Sequence, residues 1–163
     1  MSVNRHKPHV YVLPEDDANR QLANGFHLNV DAANDRQMQV LPVAGGWLKV
    51  LDLFVSDHVR EMDRFSHRLM VLLIDFDGRN DRLLQAQARI PPHLRHRVFI
   101  LGTLSEPQSL RPDLGSFETI GSGMARDCRE GTDTIWGHNL LRHNTSELDR
   151  LREHVCPILF PPI

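Results

Sequence analysis

Lysine is nearly missing from this 163-residue chain: Lys7 and Lys49 are the only two, and none follows the second. Chemistry that depends on a lysine beside a late strand therefore lacks its cation. The remaining basic residues are arginines, and 19 Lys plus Arg stand against 21 Asp plus Glu for a net charge of −2. That balance excludes a strongly basic nucleic-acid binder, so any such contact has to be local. Cysteine is equally scarce. Cys128 and Cys156 are too few for a disulfide framework and neither sits in a paired metal-ligand motif, which points to a reducing, cytoplasmic setting. No apolar run approaches the length of a membrane span, and residues 1–8 are polar without a signal-like apolar core, so no membrane association is expected.

What is present is 40% hydrophobic residues, enough for one compact domain with a sizeable core. Short β-rich runs alternate with helical periods. His9-Val10-Tyr11-Val12-Leu13 is a strand stopped by Pro14, and Glu15-Asp16-Asp17 suit the start of a helix over 17–24, with Gly25 as its left-handed C-terminal cap. A second strand over 38–43 leads to Gly45-Gly46 and a helix carrying Trp47, Val50, Leu51, Phe54 and Val55. Further strands at 70–74 and 97–101 flank a helix over 81–88. Such alternation implies βαβ units and an α/β fold, with a mainly parallel sheet sandwiched by helices. Helices over 117–129, 134–143 and 146–155 and an apolar tail over 157–163 then form a helical C-terminal extension.

The chemistry concentrates in Met70-Val71-Leu72-Leu73-Ile74-Asp75-Phe76-Asp77-Gly78. An unbroken apolar run suits a central parallel strand covered on both faces, and ligands in open α/β sheets collect at the carboxyl ends of such strands. Asp75 and Asp77 fall at that end. Two carboxylates this close repel unless neutralised, and a hard divalent cation with oxygen ligands, Mg2+ or Mn2+, does so. Asp16, Asp17 and Asp81 read as helix caps. The ten histidines offer no zinc spacing, since His138 and His143 are five apart where a shared helix face needs four. Arg79, Arg82, Arg89, Arg95 and Arg97 lie near the acidic run in sequence, and Arg79 and Arg82 are the candidates for nucleic-acid phosphates.

The order of these parts resembles the TOPRIM domain, the metal-binding α/β fold of topoisomerases, primases and nucleases of the overcoming-lysogenization-defect family. Glu15 after the first strand, Gly45-Gly46 after the second and Asp75 with Asp77 after a later strand stand where that domain has its glutamate, glycine turn and Asp-x-Asp pair. Glu106, after the strand at 97–101, matches a further acidic position of the nuclease branch. The resemblance covers roughly residues 9–110, the core, with about 111–163 as the extension. It implies Glu15, Asp75 and Asp77 as catalytic and metal-binding residues, Glu106 as a further metal ligand, and a magnesium-dependent nuclease. DNA or RNA would be the substrate, in a defence or DNA-processing complex. Tyr11, the only tyrosine, lies inside the first strand, which argues against a strand-passing topoisomerase. In the nuclease family the domain works beside an ATPase, so an ATPase partner or a second copy of the chain is implied.

Two other readings stay open. One is a non-catalytic TOPRIM-like interaction module. The other is a phosphatase of the haloacid dehalogenase type, whose nucleophile motif Asp75-Phe76-Asp77-Gly78 resembles, although Arg79 and the lysine-free remainder depart from it. The acidic turn over 12–17 resembles that of response-regulator receivers as well, and these too require a late lysine.

Overall fold

A computed structural model describes every residue except Met1, Asn80 and Ile163. Its centre is a four-stranded, fully parallel sheet in the order β2-β1-β3-β4, built from β1 (His9–Pro14), β2 (Met38–Val40), β3 (Arg68–Leu73) and β4 (Val98–Leu101). After their first residues, His9 and Arg68, the two inner strands are apolar runs because both of their faces are covered. Successive side chains alternate between faces. Val10, Val12, Val71 and Leu73 enter one core with Leu22, Ile120, Met124, Trp136, Leu148 and Leu159, while Tyr11, Leu13, Met70 and Leu72 enter the other with Val50, Phe54, Met62, Ala86 and Leu94.

The first face is covered by α1 (Asp17–His27), α6 (Phe117–Glu130), α7 (Thr145–His154) and α8 (Cys156–Leu159). The second carries α2 (Trp47–Leu53), α3 (Val59–Arg64) and α4 (Asp81–Arg89), with a wider π-type turn over Phe54–His58 joining α2 to α3. The short α5 (Arg111–Leu114) precedes α6. The apolar tail docks through Leu159, which is buried, and Phe160, whose ring lies 5.9 Å from that of Phe26; Pro161 and Pro162 are exposed, and Ile163 lies outside the described residues. Among the described residues no helix is long and apolar enough to cross a membrane.

Three local expectations change. Gly25 does not end α1, which runs on to His27; instead a β-carbon at Gly25 would stand 2.4 Å from the Glu118 carbonyl oxygen, and one at Gly121 would stand 2.0 Å from that of Leu22. The two glycines let α1 and α6 touch backbone to backbone. The segment 134–143 is a series of turns rather than a helix. Asp127, buried on α6, takes over its backbone donors, accepting from the N–H groups of Thr134, Ile135 and Trp136 and from the Thr132 hydroxyl. Finally, Cys128 and Cys156 do pair, with α-carbons 5.7 Å apart, in a disulfide that ties α6 to α8. Two cysteines make no framework, but one bridge is within their reach, and the bond lends no support to a reducing, cytoplasmic setting.

The outer edge of β4 is closed by side chains instead of a fifth strand. Asn144, Glu147 and Arg150 lie three residues apart along α7 and the turn before it, hence on one helix face. Asn144 accepts from the Gly102 N–H (3.2 Å) and donates to its carbonyl (2.9 Å). The Glu147 carboxylate accepts from the Ile100 N–H (3.4 Å), and Arg150 donates to the carbonyl of Val98 (3.2 Å) while pairing with Glu147 at 2.7 Å.

A candidate acidic site at the carboxyl edge of the sheet

The parallel sheet brings the ends of β1 and β3 side by side, Pro14 opposite Leu73, so Glu15 and Asp75, 60 positions apart, become neighbours. Glu15 leaves β1 half-buried, and its carboxylate accepts the main-chain N–H of Asp75 at 2.6 Å. Asp16 is the N-cap of α1, in extended conformation, accepting from the Asn19 N–H at 3.0 Å. Asn19, fully buried on the first turn, extends its side-chain amide to the Asp75 carboxylate at 2.9 Å. Asp75 is only 7% exposed, so three acidic residues share a poorly hydrated space.

Burial raises the Asp75 pKa from 3.8 to about 7; Asn19 opposes the rise by hydrogen-bonding the carboxylate, while the charges of Glu15 and Asp16 add to it. Glu15 is raised as well, by burial first and by Asp16 and Asp77 after it, against the stabilising Asp75 N–H and the Arg82 charge. Negative charge is thus held here at a cost, which the Asp75 N–H, Asn19, Arg82 and the positive end of the α1 dipole reduce.

Beyond Asp75 the chain turns outward. Asp77 adopts a left-handed conformation (φ 49°), as does Gly78 after it (φ 70°). The turn is zipped to the loop following β4 by hydrogen bonds from the Phe76 N–H to the Thr103 carbonyl (3.0 Å) and from the Gly78 N–H to that of Leu104 (2.6 Å). The two loops meet so closely that a β-carbon at Gly102 would stand 1.6 Å from the Ile74 carbonyl oxygen. Between the aspartates, Phe76 is buried and packs edge-on against His143 at 5.0 Å.

Arg82, a candidate for phosphate contact, faces inward. It is 6% exposed, lies over the Trp47 ring at 4.4 Å, and donates to the Asp75 carbonyl (2.6 Å) and the Asp77 carboxylate (3.2 Å). Arg79 is exposed and pairs with Asp81 at 3.0 Å. Glu106 is exposed ahead of a short 3-10 turn and makes no side-chain hydrogen bond among the described residues. The fold therefore brings Glu15 and Asp75 together, ties Asp77 to Arg82, and leaves Glu106 and Arg79 on the surface.

No protein-family model, curated protein or solved structure matches this chain. The site's donor set is the hard-oxygen kind that a divalent cation prefers, and the raised Asp75 pKa reflects burial first and the charges of Glu15 and Asp16 after it, the part that such a cation relieves. Among the described residues, however, no three His, Cys, Asp or Glu side chains are placed to share an ion as they stand. Asp16 and Asn19 are the participants that sequence reasoning assigned elsewhere or passed over. Asp16 is indeed a cap, and nothing in its neighbourhood in sequence shows that the cap also abuts Asp75. The polar Asn19, one place after Ala18 on the buried side of an amphipathic helix, was the available signal.

Proposed function

We propose that this chain is a TOPRIM-like, divalent-metal-dependent phosphodiesterase acting on nucleic acid. The observation that carries the reading is the concentration of Glu15, Asp16 and Asp75 at the carboxyl edge of a parallel sheet, with Asp75 pushed to about 7. Glu15, Asp75 and Asp77 are the residues that would hold Mg2+ or Mn2+. When bound, the ion supplies Lewis-acid polarisation of the phosphodiester and a source of hydroxide at neutral pH. The rest belongs to the protein. The Asp75 N–H fixes the Glu15 carboxylate, Asn19 fixes that of Asp75, and Arg82, wedged against Trp47, fixes the turn that presents Asp77. Because Asp77 is held by Arg82, bringing the three carboxylates to one ion requires side-chain movement.

The test is cleavage of plasmid DNA and of single-stranded RNA in Mg2+ or Mn2+, with EDTA as the blank. Asp75→Asn keeps the shape and removes the charge, and should lower the rate by roughly a hundredfold or more. Full cleavage by that variant refutes the assignment. The Asp77–Arg82 pair favours a second reading, a non-catalytic module of the same layout within a larger complex. Mn2+ binding without cleavage, in the presence of an ATPase partner as well as alone, would select it.

A further inference from the structure

The other end of the sheet, where β1 and β3 begin, carries the opposite charge, some ~20 Å from the acidic loops at ~3.3 Å per residue. Arg68 opens β3 and is 2% exposed, yet its side-chain partners are neutral. Its Nε donates to His9 Nε2 at 3.1 Å and one terminal nitrogen donates to the Tyr11 hydroxyl at 3.3 Å. Since Nε2 of His9 accepts, the ring proton lies on Nδ1, which is 2.8 Å from the Lys7 carbonyl. His9 is therefore neutral and leaves the Arg68 charge uncompensated.

The guanidinium of Arg68 lies between two rings, 4.1 Å from the centre of Tyr11 and 4.8 Å from that of Phe65. Two further guanidinium groups, those of the exposed Arg5 and Arg64, each lie 5.2 Å from the same Phe65 ring. Arg97 holds the turn beneath by donating to the carbonyls of Met62, Phe65 and Arg68. Among the described residues no carboxylate hydrogen-bonds Arg68, and those on the packed elements offset its charge only in part. Glu61 acts on Arg68 only at a distance, Asp57 lies beside His58, and Asp63 is engaged by His93 at 2.7 Å. Like charges on flexible side chains separate in water unless an anion joins them, and a buried cation without a counter-charge is costly.

We propose that Arg5, Arg64 and Arg68, gathered on Phe65, form a phosphate-binding site that takes inorganic phosphate or a phosphate of a nucleic-acid backbone. Guanidinium forks match the oxygens of a phosphate in pairs, and the two exposed arginines supply the direct contacts while Arg68 supplies fixed charge behind them. The site is separate from the acidic edge and does not depend on its reading.

Calorimetric titration of the full chain with inorganic phosphate, and fluorescence anisotropy with a labelled single-stranded oligonucleotide, test it. Arg5→Ala/Arg64→Ala should weaken binding at least ~10-fold and, for the oligonucleotide, reduce the salt dependence by about two charges. Both positions are exposed, so melting should be unchanged, and Arg126→Ala, which removes a charge elsewhere on the surface, should bind as wild type does. Binding of phosphate itself assigns the free anion, and binding of the oligonucleotide alone assigns the backbone. The proposal is overturned if neither binds, or if the double variant binds as tightly as wild type.

Discussion

Asp75→Asn should stabilise the protein at alkaline pH and leave it nearly unchanged in acid. A carboxyl raised from 3.8 to about 7 binds more protons folded than unfolded throughout that interval, so stability falls as pH climbs from about 4 to about 7 and stays low above it. At ~1.4 kcal/mol per pH unit the ceiling is ~4 kcal/mol. Asp75 shares its proton with an acidic neighbourhood and keeps partial access to water, so about half of that, ~2 kcal/mol, is expected. Asparagine can keep the hydrogen bond from Asn19 and adds a donor beside Asp16, so no compensating loss is built in. In a chain of this size ~2 kcal/mol corresponds to roughly 4–8 °C. Thermal melts in EDTA at pH 8 and pH 5 should show that gain at pH 8 and only a little over a third of it, ~0.8 kcal/mol, at pH 5. An equal change at both pH values, or destabilisation at pH 8, would mean that the charge at Asp75 is not held at a cost. The same substitution is the one expected to abolish cleavage, so the two readouts should move in opposite directions.

Reduction of the Cys128–Cys156 bridge, which closes a separation of 28 residues, should cost about 3–4 kcal/mol by loop entropy, or roughly 10 °C; an unchanged melt with both thiols titrating as free would dismiss it. Gly121→Ala places a methyl where the Leu22 carbonyl already stands. The overpacking, ~3 kcal/mol, should exceed the ~1 kcal/mol of helix propensity gained, for a net loss of about 2 kcal/mol in urea unfolding. Ser122→Ala, one residue along, is the neutral comparison, and equal stability of the two variants would contradict the close helix crossing.

The strands were readable because a buried parallel strand has little choice of composition: Met70 to Ile74 and Val98 to Leu101 must be apolar on both faces. The α1 ending was not, because a glycine that caps a helix and one that lets two helices touch look alike until the residue across from it is known. The segment 134–143 misled for a related reason. Ile135, Trp136, Leu140 and Leu141 are apolar enough for a helix, but the carboxylate that captures the backbone donors of Ile135 and Trp136, Asp127, sits on a different element, and His138 takes those of Leu140 and Leu141. At the acidic edge, Glu15 and the Asp75–Asp77 pair could be picked out by their place after strands. Whether a nearby arginine turns toward solvent or toward the carboxylates could not, and Arg82 turns inward because Trp47, thirty-five residues earlier, offers it a ring to lie on.

The side-chain closure of β4 decides where this sheet can recruit another strand. An exposed row of backbone donors and acceptors is an invitation to any passing β-segment, and on the β4 side Asn144, Glu147 and Arg150 answer it in advance. The other border, β2, has only three residues to offer. Replacing Glu147 with leucine would make α7 look like a better amphipathic helix while uncovering the Ile100 amide, and the variant would become adhesive by a route that hydrophobic patterning cannot foresee.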